Sequence, residues 1–305
     1  MEDKLVSVII PTYKRPLKLS RAINSVLNQT YSNIEILVVD DNNPNTSERK
    51  ETEELMSQYE NNNQVKYLRH ECNKNGSAAR NTGFKNSSGE YIMLLDDDDE
   101  FLPRKVEVQV KCLESKDGSW GACYTKYKRL RNGKVDTICA ENSEGNLYFE
   151  ELCRNLFIQA GSNLMVRRSV FKELNGFNES FSRNQDIEFA VRLLKKYKLA
   201  YVDEMGLIYH RHLASEKRFF DMEKITNQYI ENFQSYIDEL SDSNKKKFYQ
   251  MVNLQLFRYR LITTKNVKSS YNMIKSREVT AINVLRYFIH LGYRKVAKKS
   301  YGFKL

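Results

Sequence analysis

The sequence predicts an α/β fold, a mostly parallel sheet with helices on both faces, followed by a helical region. Three observations carry this. Apolar runs at Leu5–Ile10, Ile34–Val39 and Tyr91–Leu95 have the length and near-continuity of strands buried on both faces. Helical segments separate them at the spacing of repeated βα units, which favours parallel pairing. Beyond Ser215 the chain turns helical, basic and rich in Tyr and Phe.

The first strand, Leu5–Ile10, is followed by the turn PTYKRP, and Pro16 suits the first turn of a helix reaching about Gln29. Ile23, Val26 and Leu27 form its apolar stripe. Ile34–Val39 is the second strand and ends in Asp40 and Asp41, before the turn-forming NNPN. A charged helix from about Ser47 to Tyr59 leads to a third strand, Val65–Leu68. The loop NKNG then opens a helix from about Ser77 to Asn86, which feeds the strand Tyr91–Leu95.

After Pro103 a helix is expected to about Glu114, then a strand at Trp120–Tyr124 and a hairpin turning at Asn132-Gly133. Leu147–Leu156 reads as helical and Ser162–Val166 as a short strand. Ser169–Leu174 reads as a short helix ending at Gly176. Asn184–Tyr197 is a clear helix with Ile187, Val191 and Leu194 on its buried side and Asp186 in its first turn. A short strand, Leu199–Val202, precedes YHRH at Tyr209–His212.

At 305 residues the chain has room for a domain over 1–215 and a helical region over 216–305. No charged and apolar leader pattern is read at the N-terminus, and no apolar run approaches the roughly 20 residues of a membrane span. The expected location is therefore the cytoplasm. The five cysteines, Cys72, Cys112, Cys123, Cys139 and Cys153, never fall as CxxC, so they read as reduced thiols rather than a disulfide framework or zinc site.

Charge is unevenly placed. Residues 1–215 hold 31 basic and 31 acidic side chains, and residues 216–305 hold 18 basic and 8 acidic, so the whole excess of +10 lies in the second part. From Arg258 to Lys304 there are 12 basic residues and one acid, Glu278, interleaved with Tyr287, Phe288 and Tyr301. Such an end fits an anionic membrane surface, and equally a pack against the first domain or a contact between copies in a homo-oligomer.

The stretch GEYIMLLDDDDEFLP, Gly89–Pro103, is the centre of the functional reading. Asp96, Asp97, Asp98 and Asp99 repel one another at the end of a buried strand unless a cation offsets them. Ligands in open α/β sheets bind outside the carboxyl ends of strands. Magnesium or manganese suits the position, because such hard cations take one or two carboxylates together with substrate phosphates.

These residues resemble the inverting glycosyltransferases of family 2. The resemblance covers about residues 5–215 and rests on VSVIIPTYKRP, ILVVDD, NGSAARNTGFKNSSGEYIMLLDDDDEFLP and NQDIEFAVRLLKKYK, in that order. It implies the GT-A fold, a Rossmann-like mixed, mostly parallel sheet flanked by helices, here with a C-terminal helical extension. It implies that Pro11, Thr12 and Tyr13 line the nucleotide pocket, that Asp41 reads the base with Asp40 beside it, and that Arg80 faces the diphosphate. The family's DxD pattern is met by Asp96-x-Asp98, with Asp98 as metal ligand and Asp97 nearer the sugar; Asp97-x-Asp99 also fits. Asp186 corresponds to the catalytic base, although this chain has Gln185 where many relatives have Glu. Gly161 and Ser162 fall where the family shapes the floor near sugar and acceptor. His210 or His212 matches a basic position that closes over the metal, with His212 the chosen one.

The implied reaction moves a sugar from a nucleotide sugar, expected to be a UDP-sugar, to a hydroxyl of a saccharide or lipid-linked saccharide by metal-assisted single displacement. The implied setting is bacterial polysaccharide assembly at the inner face of the membrane. A sugar-phosphate nucleotidyltransferase would need a Gly-rich loop after the first strand, and PTYKRP has no glycine. A dehydrogenase fails on the same ground. Nucleic acid is not an expected partner, because it leaves the acidic strand ends of a neutral domain unexplained. A catalytically inactive nucleotide-sugar-binding module is the alternative, given Gln185.

Overall fold

The computed structural model describes residues 3–181, 183–211 and 221–305. In chain order, β1 (Val6–Thr12), α1 (Pro16–Leu27), β2 (Ile34–Asp40), α2 (Ser47–Ser57), β3 (Val65–Arg69), α3 (Gly76–Lys85) and β4 (Tyr91–Leu94) alternate as the hydrophobic pattern requires. Then come β5 (Glu100–Phe101), α4 (Lys105–Glu114), β6 (Trp120–Arg131), β7 (Lys134–Cys139), α5 (Tyr148–Leu152), α6 (Ala160–Asn163), β8 (Met165–Arg167), α7 (Arg168–Glu173), α8 (Gln185–Lys196) and β9 (Lys198–Arg211). The remainder is α9 (Met222–Asp238), α10 (Asp242–Arg258), a π-helical turn at Tyr259–Thr263, α11 (Val267–Lys275), α12 (Ala281–Val296) and β10 (Lys299–Ser300).

The sheet order is β10-β7-β6-β8-β4-β1-β2-β3, with β9 pairing β6 and β5 pairing β9. β3, β2, β1 and β4 are parallel, and β8 joins β4 antiparallel. Alternation along β1 divides its side chains between two cores. Val6, Val8 and Ile10 pack with α1, α2 and α4, while Ile9 faces the other side with α3, α7 and α8. Helix α3 lies so close to β1 that a Cβ on Gly83 would come within 2.3 Å of Ile9 Cγ2, so only glycine fits there.

Four segments differ from the sequence reading. β9 runs 14 residues rather than four, because β6 offers a parallel partner from Lys198 to Arg211, interrupted by register shifts. Ser162 falls in the turn of helix α6, and the strand begins only at Met165. The reason is Asn163, whose side-chain amide donates to the carbonyls of Thr125 (2.7 Å) and Ile158 (2.8 Å) and holds the turn closed. Helix α5 stops at Leu152, and Arg154 takes a left-handed φ of 51°. β5 emerges from the acid block because Glu100 and Phe101 pair with Ile208 and Leu207.

The C-terminal helices do not stand apart. Tyr229, Phe233, Phe248, Phe257, Met273 and Phe303 share a core with Leu152 and Cys153 after β7 and with Val191 of α8. β10 adds a parallel strand to β7. Among the described residues no helix is long and apolar enough to cross a membrane.

One buried cation braces the core beside the strand ends. Lys105 Nζ, with no exposed surface, donates to Thr125 Oγ1 (3.1 Å), Asn163 O (3.2 Å) and Asn163 Oδ1 (2.5 Å), none of them a carboxylate. Burial lowers its pKa from 10.5 to about 7. Between those values the unfolded chain holds a proton that the folded chain has released, so stability climbs as pH rises from about 7 toward 10.5, by on the order of 1 kcal/mol per pH unit. Lys105→Met is expected to flatten that climb. Urea unfolding at several pH values across the interval reads it, and an unchanged slope would assign the titration to another group.

Candidate active site

The parallel strands deliver their carboxyl ends to one edge. Ile9 of β1 pairs with Leu94 of β4, Thr12 pairs with Asp40 of β2, and the Asp41 N–H donates to Thr12 O at 3.0 Å. Beyond β4 the chain turns tightly, with Asp99 N–H donating to Asp96 O at 3.0 Å. Four consecutive carboxylates therefore point in different directions and meet different partners.

Asp96 is the acid most open to the cleft, with 36% of its side-chain surface exposed. Arg80 of α3 reaches it, Nη2 to Oδ1 at 2.6 Å, and with Nη1 also donates to Gln185 Oε1 at 3.1 Å. Gly161 of α6 lies between two acids: a Cβ there would be 3.4 Å from Asp96 Oδ2 and 3.8 Å from Asp186 Oδ2. The absence of a side chain at Gly161 keeps both carboxylates facing one space. Desolvation in the cleft raises the Asp96 carboxyl above its ordinary range, Arg80 opposes this, and the charges of Asp98 and Asp186 add to it.

Asp97 is fully buried. It accepts from Thr12 Oγ1 at 2.8 Å, and its Oδ1 lies 3.0 Å from Arg15 Nε. Burial pushes its carboxyl up to about 7, against the pull of Arg15 and Thr12. Asp98 is paired with the Arg15 guanidinium, and its backbone carbonyl accepts from Arg21 Nη2 at 2.7 Å. Asp99 accepts from His210 N–H at 3.1 Å; burial holds its carboxyl well above the usual range, and a Ser162 hydrogen bond partly offsets this. Ser162 Oγ also accepts from Asp96 N–H at 3.1 Å. Ser162 thus ties α6 to the acid turn.

Asp186 sits in the first turn of α8, behind Asn184, whose left-handed φ of 56° swings the chain into the helix. The nearby Glu151 of α5 is buried, and burial together with the Asp186 charge holds its carboxyl well above the usual range.

The other expected residues lie as follows. Pro11 and Thr12 end β1, and Tyr13 is exposed beyond them. Asp41 is 3% exposed and serves as a loop organiser: it accepts from His70, Asn73, Lys74 N–H and Asn75 N–H at 2.7–3.0 Å. Asp40, expected beside the donor, has no exposed surface; Tyr67, Asn42 and Arg49 take its oxygens. At the carboxyl end of β2 it is buried under these partners rather than open to the cleft. His210 Nε2 lies 3.3 Å from Glu100 Oε1, and His212 falls outside the described residues.

Arg15, Glu151 and Lys105 carried no assignment from the sequence, and Asp99 entered only through the alternative Asp97-x-Asp99 register. Arg15 lies inside the quoted PTYKRP, but its partners are 82 and 83 residues away, beyond any local pattern.

The acids fit a hard cation in kind. Among the described residues no three His, Cys, Asp or Glu side chains converge as a cage. What is present is the partial donor set, one or two carboxylates, that such ions complete with substrate phosphates.

Residues 7–175 match the family model described as Glycosyl transferase family 2. An uncharacterised glycosyltransferase of Rickettsia felis is 32% identical over 277 residues, 88% of this chain and 43% of the relative. The chain thus spans less than half the length of that relative. The Escherichia coli protein described as UDP-Glc:alpha-D-GlcNAc-diphosphoundecaprenol beta-1,3-glucosyltransferase WfgD is 29% identical over 71% of this chain and 79% of its own. Staphylococcus aureus TarS, solved with UDP, shares the fold at a TM-score of 0.63 and 18% identity, over 86% of this chain and 73% of its own. The Pyrobaculum calidifontis mannosyltransferase PcManGT, solved with GDP-Man and Mn2+, does so at 0.57 and 16%, over 97% and 88%. With a fold of that architecture and a family match over more than half its length, this chain belongs to glycosyltransferase family 2.

Proposed function

We propose that the chain transfers a sugar from a UDP-sugar to a hydroxyl of a lipid-linked saccharide, with inversion, by a single displacement. The observation that carries this is the convergence of Asp96 and Asp186 on the side-chain-free Gly161, with Arg80 bound to Asp96. Asp186, in the first turn of α8 and beside the open space at Gly161, takes the proton of the attacking hydroxyl as general base. Arg80 and Arg15 supply fixed positive charge on the opposite side, where the diphosphate leaves.

Tyr13 offers exposed surface for the nucleotide beside the half-buried Pro11, and the loop tied by Asp41 borders it. Asp98, with Asp96 beside it, would hold a magnesium or manganese ion together with the donor's phosphates, and such an ion supplies Lewis-acid stabilisation of the leaving group. The lipid-linked acceptor is supported by WfgD, whose name specifies a diphosphoundecaprenol-bound sugar. An anionic membrane surface as its source fits the basic C-terminal region.

The test is release of free UDP from a panel of UDP-sugars, with manganese and after chelation. One UDP-sugar should be turned over and chelation should abolish turnover. Nucleotide-sugar binding without turnover under any condition would make the chain an inactive binding module.

A further inference from the structure

A large cavity lies away from the acid turn, between the catalytic sheet and the C-terminal helices. It measures about 1240 Å³, above the roughly 300–1,000 Å³ of ordinary small-molecule pockets. Phe149, Leu156, Met251, Ile289 and Tyr293 form apolar wall. Three cations line the same space, Lys247 of α10, Arg286 of α12 and Lys304, all of them solvent-exposed residues.

The cavity is continuous with an open apolar face. Helix α12 buries only Tyr287, while Ile282 (71%), Leu285 (63%), Ile289 (63%), Tyr293 (57%) and Val296 (86%) remain exposed. Their spacing puts them along one side of the helix. Ile289 and Tyr293 belong to both surfaces, so a chain lying on the open face of α12 has a direct way into the cavity. Helix α5 borders both regions in sequence: Phe149 and Glu150 line the cavity, and the next residue, Glu151, is buried and within electrostatic range of Asp186.

We infer that this cavity binds a single long-chain lipid phosphate, its chain along the apolar wall and α12 and its phosphate on Arg286, Lys247 and Lys304. Volume and wall chemistry suit a flexible hydrocarbon, and the cations complement an anionic head. Of the three carboxylates on the wall, Glu141 is taken up by Ser143 Oγ (2.7 Å) and Gly302 N–H (3.0 Å) and Glu144 lies 3.8 Å from Lys116, which leaves Glu150 as one acid against the three cations. The inference deepens the acceptor reading above and rests on it for the lipid's identity.

Calorimetric titration of the full chain with farnesyl phosphate, farnesol and inorganic phosphate tests it, alongside flotation with phosphatidylglycerol vesicles. Farnesyl phosphate should bind, farnesol more weakly, and inorganic phosphate least. Ile289→Asp with Tyr293→Asp should weaken farnesyl phosphate binding by roughly tenfold or more. Arg286→Glu with Lys247→Glu should remove the preference for the phosphate over the alcohol. UDP affinity should be unchanged in both double variants, which shows that they fold. Equal binding of farnesyl phosphate by wild type and the Ile289 and Tyr293 variant overturns the inference. So does binding of inorganic phosphate as tight as that of the lipid, which marks a plain anion site. Vesicle flotation without single-lipid binding also overturns it, leaving α12 as a surface anchor. Loss of UDP release with lipid binding intact would instead sink the transferase reading and leave the cavity assigned.

Discussion

Asp186→Asn is expected to lower sugar transfer by roughly 10²–10⁴-fold, the range that a positioned general base contributes, while leaving UDP affinity unchanged. The amide keeps the shape of the side chain beside Gly161 but cannot accept the acceptor's proton. Asp186 occupies the first turn of α8 with its carboxylate near Asp96 rather than on a nucleotide-facing strand tip, so loss of turnover should separate cleanly from donor binding. Turnover measured at saturating UDP-sugar, with UDP titrated in parallel, reads both. Wild-type turnover in the variant would remove Asp186 from the mechanism and turn attention to Glu151, the other acid at that point of the cleft.

Arg80→Ala should cost the donor its main fixed countercharge, with UDP-sugar affinity falling roughly 10–100-fold, as a charged hydrogen bond of about 1.5–3 kcal/mol implies. Arg80 bridges Asp96 and Gln185 with two different nitrogens while its guanidinium lies 5.5 Å from the Phe177 ring centroid. A lysine cannot reproduce that fork, so Arg80→Lys should recover only part of the loss. Gln185 matters here. As a neutral amide it leaves the positive charge of Arg80 to Asp96 and the diphosphate. If Arg80→Ala lowers the melting temperature but not UDP affinity, the residue only braces the acid turn.

The apolar runs were sufficient to place β1, β2 and β4, because a strand buried on both faces leaves a continuous hydrophobic signal. β9 shows the opposite case. The sequence reading ends that strand at Val202, yet it continues to Arg211 because β6 resumes pairing at Met205, across a bulge, and carries it from Leu207 to Arg211. The same holds for α12. Its sequence left membrane contact, packing and self-association equally open, and the fold buries Tyr287 while leaving the stripe from Ile282 to Val296 uncovered.

By itself, the sequence determined the order of strands and helices and the residue types at the strand ends, since both depend on local periodicity and on short-range turn chemistry. Only the tertiary structure decided the use of each acid. Asp40 and Asp97 became buried acids, Asp98 the partner of Arg15, and Asp96 the neighbour of Asp186 across Gly161. The physical reason is that a carboxylate's role follows from its solvent exposure and from the cation within a few ångströms of it. Here those cations come from segments 16 and 83 residues away along the chain, which no local pattern records.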